Sequence, residues 1–293
     1  MGMGPIEFFF VFLVLSLLIR MVAVLAGIGG GLIFTSLMMG FTGINSYIIR
    51  GTGLLVATSG SVVAAHKFLD RGLANIKIVL FAGAPYTAFA VLGALMAHHV
   101  SKTMGETGEA LIRLSLGIIV LLVASLIVSR GKGVQNPEVT RVDRLTKKLD
   151  LGMAYWEESQ GKVVDYQVTR APVAIFLFCG IGFLSGLFGI GAGWAMIPTL
   201  NLVMLLPLKV AGASSSVLIG AGDTAAVWQY IKGGALFPLF AAPCLIGSIL
   251  GAIIGSRIMV RVRAGVVRWL VIVIMFAAGA RLIFVGISSL IHL

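Results

Sequence analysis

Two short runs, GIGGG at 27–31 and GIGAG at 189–193, interrupt long apolar stretches with residues almost devoid of side chains. Breaks of this kind can bind an anion. A helix restarting just after Gly31 or Gly193 presents unpaired N–H groups and a partial positive charge, and glycine lets the backbone turn tightly and approach a ligand closely. The candidate binding residues are therefore Gly27, Gly29, Gly30, Gly31, Gly189, Gly191 and Gly193. Close helix packing is the competing use of small residues in membranes, but recurrence of the break favours binding. A dinucleotide fingerprint is disfavoured, because no strand precedes either run and neither continues as G-x-G-x-x-G with a later acidic residue.

Further chemistry stands in two aligned stretches, NSYIIRGTGLLVATSGSVVAAHKF at 45–68 and PLKVAGASSSVLIGAGDTAAVWQY at 207–230. Thr52 falls opposite Ser214, beside Ser215 and Ser216, about one turn into each helix, and these hydroxyls could complete an anion shell or bond back to their own helix. Arg50, near the outer end of its helix, could attract anions, though snorkelling to headgroups is the default; Arg20 and Arg281 read as snorkelling. Asp223 is sharper: a carboxylate in mid-helix is costly in lipid and usually faces a cavity, a partner or a proton path. It is the proton-coupling candidate, with Ser61 as its counterpart in the first half. Trp228, Gln229 and His66 occupy helix ends, where Trp belongs to the aromatic belt.

These residues must be positioned by membrane helices. Of 293 residues 59% are apolar and 11% charged, with a mean hydropathy of +1.06. Apolar stretches near 6–26, 47–66, 78–97, 111–129, 172–187, 211–230, 235–256 and 266–287 are mostly long enough to cross a hydrocarbon core of roughly 30 Å. They are continuous rather than alternating, which argues against an outer-membrane barrel. The fold class is an all-α integral membrane protein. The net charge of +11 reflects basic residues flanking apolar segments, so no nucleic acid partner is expected. The N-terminus lacks a basic n-region and does not read as a cleaved signal peptide. Cys179 and Cys244 support neither a disulfide framework nor a zinc site, the adjacent His98 and His99 receive no role, and no metal or cofactor is expected.

Sliding the chain against itself by 162 positions aligns Gly27, Gly29, Gly31, Gly60, Gly72 and Gly93 with Gly189, Gly191, Gly193, Gly222, Gly234 and Gly255. Glycine content alone predicts roughly two such matches, so the chain is an internal duplication. Basic residues then choose between parallel and inverted halves. If 5–40 and 172–205 are single crossings, the 20 basic residues outside the first and last apolar runs divide 12 to 8 between the two sides. If each glycine run turns a helical hairpin, the halves are inverted, and 67–77, 130–170, Lys209 and 257–268 place 16 on one side against 4. The positive-inside rule selects two inverted repeats of about five hydrophobic segments each, with both termini outside. The expected organisation is 1–129 as the first membrane repeat, 130–171 as a cytoplasmic linker with a possible β-hairpin, and 172–293 as the second membrane repeat.

The duplicated pattern of a G-x-G-[GA]-G break, a short apolar helix, a small-residue T/S-rich helix and a later Gly-Ala segment (Gly93 and Ala94; Gly251 to Gly255) resembles the TauE/SafE sulfite exporter (TSUP) family of permeases. The resemblance covers roughly 20–97 and 180–257. It implies a secondary transporter of small sulfur-containing anions such as sulfite, thiosulfate or organosulfonates, in the cytoplasmic membrane of a prokaryote. Ser36 stands where the second half has Pro198, so the resemblance does not imply equal roles for the two tips. The expected partners are a small sulfur-containing anion and membrane lipid, with a homo-oligomer left open. No Walker A loop suggests ATP hydrolysis, and no enzymatic activity is expected. A membrane scaffold or assembly factor and an intramembrane enzyme are the alternative readings.

Overall fold

A computed structural model describes residues 4–26, 30–129, 137, 139, 141–157, 161–258 and 264–291. The first half comprises α1 (Pro5–Ala26), α2 (Gly30–Phe41), α3 (Ser46–Asp70), α4 (Ile76–Thr103) and α5 (Gly105–Ser129). A short helix α6 (Arg144–Lys148) and a hairpin of β1 (Met153–Glu157) and β2 (Lys162–Tyr166) follow. The second half comprises α7 (Ala171–Phe188), α8 (Gly193–Pro198) running into a π-helical turn (Thr199–Val203), α9 (Leu208–Lys232), α10 (Pro238–Ile258) and α11 (Ala264–Ile291).

Shifting α3 by 162 residues reproduces the bounds of α9, and α4 and α10 start at equivalent positions. The turns that follow α3 and α9 also match, since Gly72 (φ +61°) and Gly234 (φ +72°) occupy the same left-handed conformation. Eight helices among the described residues are long and apolar enough to cross a membrane. The ninth apolar helix, α2, has 12 residues, about 18 Å of rise and too short to cross. Each half thus holds four long helices and one short segment after its glycine break.

Equivalent helices run in opposite directions. Gly51 of α3 faces Tyr230 of α9 while Gly220 faces Val62, an antiparallel register. Likewise Gly117 of α5 faces Ile283 of α11, and Gly286 faces Leu114. Non-equivalent helices pair in parallel: Gly247 and Gly251 of α10 rest on the Leu13 and Leu17 carbonyls of α1, and Gly182 and Gly186 of α7 on the Tyr86 and Ala90 carbonyls of α4. A missing Cβ allows such backbone approach, and the pairing interlocks the two halves as an inverted repeat. The Gly-Ala segments singled out in the sequence lie on these seams, with Gly93 against Phe183 and Gly251 against Leu17.

This arrangement also sorts the loops. Asn75 caps α4, accepting from Ile78 N–H, and its Nδ2 donates to the Leu151 carbonyl and the Tyr166 hydroxyl. Lys77 pairs with Asp150 at 2.5 Å, and Thr169 N–H donates to the Met204 carbonyl. The α3–α4 corner, the β-hairpin and the turn before α9 therefore share one end of the bundle. Tyr155 and Tyr166 are buried there among α4, α7 and α9 side chains, while Trp156 and Val163 are exposed, so the hairpin packs one face on the bundle.

Candidate functional site

The two glycine breaks meet in the middle of the bundle. Gly31, in the first turn of α2, lies against the Ile190 carbonyl of the second break and against Ala57, midway along α3; Gly191 lies against the same Ala57. Any Cβ on Gly31 would collide with that carbonyl. Gly189 caps α7 in the left-handed conformation (φ +63°), and Gly191 repeats it (φ +67°), which reverses the chain within a few residues. Gly27 and Gly29 lie outside the described residues.

The second tip is anchored by donors from three helices. Thr35 Oγ1 of α2 donates to the Gly189 carbonyl at 2.8 Å, Tyr230 Oη of α9 to the Gly186 carbonyl at 2.7 Å, and Arg50 Nη1 of α3 to the Leu187 carbonyl at 3.2 Å. These carbonyls belong to the last turn of α7 and the cap beyond it, where the helix dipole is negative and a cation is favourable. Arg50 is fully buried. It therefore sits at the second tip inside the bundle rather than at an exposed outer end of its helix, and its Nη2 has no partner.

Asp223 stands beside this tip. Its Oδ1 accepts from the hydroxyls of Tyr86 and, at 2.8 Å, Ser185; its Oδ2 is buried without a hydrogen-bond partner and stands 3.5 Å from where a Gly191 Cβ would be. The Ala192 backbone N–H faces the same carboxylate. Tyr86 and Ser185 did not stand out in the sequence. The available signal for Tyr86 was Gly222, adjacent to Asp223, whose bare face holds the Tyr86 ring.

The first tip holds a buried cation with no carboxylate among the described buried groups. Arg20 of α1 is 6% exposed, which corrects its reading as a snorkelling residue. Its guanidinium lies against Gly30, the first residue of α2, and Gly60 of α3; Nε and Nη1 have no partner. By contrast Arg281 is exposed, lies over the Phe284 ring and donates to the Gly40 carbonyl.

The hydroxyls of Thr52 and Ser214 do not share a site. Thr52 is buried near the start of α3 with Oγ1 unpartnered, whereas Ser214 accepts from Asn75 N–H just beyond the end of α3, about 25 Å of helix rise away. Ser215 and Ser216 bond back to the Gly212 carbonyl. The hydroxyls nearer the tips are Ser185, Thr35, Ser59 and Ser248, the last two 3.4 Å apart across α3 and α10.

Inverted repeats whose broken helices converge in mid-bundle, beside buried groups of both charges, define a membrane transporter. The chain belongs to the TauE/SafE sulfite exporter family, whose model matches residues 12–282. Its relatives include the probable membrane transporter protein YunE of Bacillus subtilis (strain 168), 24% identical over 96% of this chain and 99% of the relative. A second B. subtilis probable membrane transporter, YjnA, is 26% identical over 88% of this chain and 93% of its own length. A probable membrane transporter protein of Haemophilus influenzae is 22% identical over 89% of this chain and 88% of its own. No solved structure matches the chain.

Proposed function

We propose that the protein is a secondary transporter of small sulfur-containing anions such as sulfite, thiosulfate or organosulfonates, working in the cytoplasmic membrane of a prokaryote. The observation that carries this reading is the convergence of the Gly31 and Gly191 tips on Ala57 in mid-bundle, the location of substrate sites in inverted-repeat transporters. The family's description as a sulfite exporter supports the substrate class. Asp223, buried beside the second tip without an ion-pair partner among the described residues, is the proton carrier of this reading. The end of the bundle holding Arg71, Lys77 and the β-hairpin faces the cytoplasm, since it collects most of the basic residues.

The test is flux in proteoliposomes containing this chain alone, with radiolabelled sulfite, thiosulfate and sulfoacetate, and acetate and sulfate as competitors. Saturable uptake of a sulfur anion, inhibited by its unlabelled form, is expected; flux equal to that of protein-free liposomes for all three would end the reading. Orientation is checked in the same work with cysteines placed at Gly43 and Arg71 in a background lacking Cys179 and Cys244. In intact cells an impermeant maleimide should label only the first, and labelling of the second alone would reverse the topology.

A further inference from the structure

We propose that Arg20 is the anion-binding residue of the transporter, holding the substrate's negative charge at the first tip. The inference rests on the transport reading above and adds to it a residue and a place. A buried arginine is costly unless it is paired, yet Arg20 is 94% buried, with Nε and Nη1 unpartnered and no ion-pair partner among the described residues. Its side chain is aimed at the start of α2. The guanidinium lies on Gly30, the first residue of that 12-residue helix, where unpaired N–H groups add positive potential.

The surroundings are shaped for a guanidinium. Gly60 and Gly30 leave beside the guanidinium the space that a Cβ would fill, and Gly251 of α10 does the same beside the Arg20 Cβ. Ser59, next to Gly60, and Ser248, one turn before Gly251, meet across the same two helices, and both donate to the Val56 carbonyl. Arginine suits a small oxyanion because its planar fork offers several N–H donors to adjacent oxygens. Backbone donors alone would bind without a full countercharge; the first tip carries one. At the second tip the buried Arg50 is accompanied by the Asp223 carboxylate, which repels an anion when ionised; the first tip has no carboxylate among the described buried groups. The substrate's charge therefore belongs at the first tip and the proton at the second.

The test compares the wild-type protein, Arg20→Met, Arg20→Lys and Gly60→Ala in detergent by thermal melting and calorimetric titration with sulfite, thiosulfate, sulfoacetate, sulfate, acetate and chloride. Removing an unpaired buried charge should raise the melting temperature of unliganded Arg20→Met, as expected for a residue kept for function at the expense of stability. The half-saturating anion concentration should rise on the order of a hundredfold, the effect of deleting one partner of a buried charge pair, with Arg20→Lys between the two. The atoms nearest a Gly60 Cβ all belong to the Arg20 guanidinium, so Gly60→Ala should displace that group, fold, and bind more weakly. A lower melting temperature for unliganded Arg20→Met would make Arg20 a packing residue and overturn the proposal. Sulfite binding that is equal in wild type and Arg20→Met would overturn it while leaving the transport reading intact. If only acetate or chloride binds, and Arg20→Met abolishes it, the Arg20 site stands and the sulfur-anion reading falls; if nothing in the panel binds the wild type, both fall.

Discussion

At the first tip the charged group is Arg20, against Gly30 and Gly60; the second holds Asp223, bonded by Tyr86 and Ser185 beside Gly191, together with Arg50, which donates to the Leu187 carbonyl. The halves supply the same backbone break at positions 162 residues apart, yet the charged groups at one tip have no like partner at the equivalent position of the other. Arg20 corresponds to Gly182, Asp223 to Ser61, Tyr86 to Ser248 and Ser185 to Ala23. The donors that anchor the second tip, Thr35, Arg50 and Tyr230, correspond to Ile197, Gly212 and Phe68, none of which has a side-chain donor. Duplication built two broken helices, and divergence made them unlike in charge. Two identical tips would offer one chemistry twice, whereas a cation alone at one and a carboxylate beside a cation at the other allow an anion and a proton to be bound in reference to each other.

The largest effect that could break this comparison comes from separating the tips. Gly31→Val would drive a side chain into the Ile190 carbonyl and the Ala57 side chain, and a backbone carbonyl cannot move aside as a side-chain end can. Loss of folded protein in size-exclusion chromatography, together with loss of transport, is expected. Gly180→Val, in α7 with nothing within 4 Å, should match wild type in both. A folded, active Gly31→Val protein would show that the tips need not touch. Gly191 discriminates less well, because its φ of +67° penalises every other residue whatever the space.

Next in size is Asp223→Asn, which preserves shape and can still accept from Tyr86 and Ser185 through its amide oxygen but cannot carry a proton. Exchange of labelled for unlabelled anion at equal concentrations should persist, while accumulation driven by a pH gradient should fall about tenfold or more, a loss of at least ~1.4 kcal/mol of coupling. Equal loss of both activities would place Asp223 in anion binding or structure. Unchanged accumulation and unchanged pH dependence would leave the second tip with no part in coupling.

Much of this comparison was legible in the sequence, and the failures have one physical cause. The breaks, their spacing of 162 residues and the inverted arrangement followed from glycine positions and the placement of Lys and Arg, signals local to each segment. Asp223 stood out because a carboxylate within an apolar run is conspicuous by itself. Pairing Thr52 with Ser214 overlooked a consequence of inversion: an axis in the membrane plane brings equivalent residues together only near mid-membrane. Both residues lie toward the start of their helices, α3 and α9 run antiparallel, and so the two hydroxyls are carried to opposite ends. Arg20 was misread because its distance from the end of α1 is within reach of an interface. What encloses it, Gly30 and Gly60, comes from other helices and has no signature in its own neighbourhood.

The smallest expected effect tests whether the second tip is fixed to the first half or only rests on it. Thr35 Oγ1 donates to the Gly189 carbonyl at 2.8 Å, both residues are buried, and the bond crosses from one repeat to the other. Thr35→Val keeps the shape and leaves the carbonyl without this donor, at a cost of about 1–3 kcal/mol, equivalent to several degrees of melting temperature at most in a chain of this size. Thr35→Ser retains a hydroxyl and should recover most of that loss. If α2 and the second tip move as one body during transport, the bond is kept in every state, and Thr35→Val should lower the melting temperature with little change in the rate of anion exchange. If the tips part on each cycle, the bond is broken and remade, and its removal should raise the exchange rate severalfold while the melting temperature falls by the same amount. A single bond of known length thus separates a rigid pair of tips from a hinged one, and equal exchange rates in wild type, Thr35→Val and Thr35→Ser would favour the rigid pair.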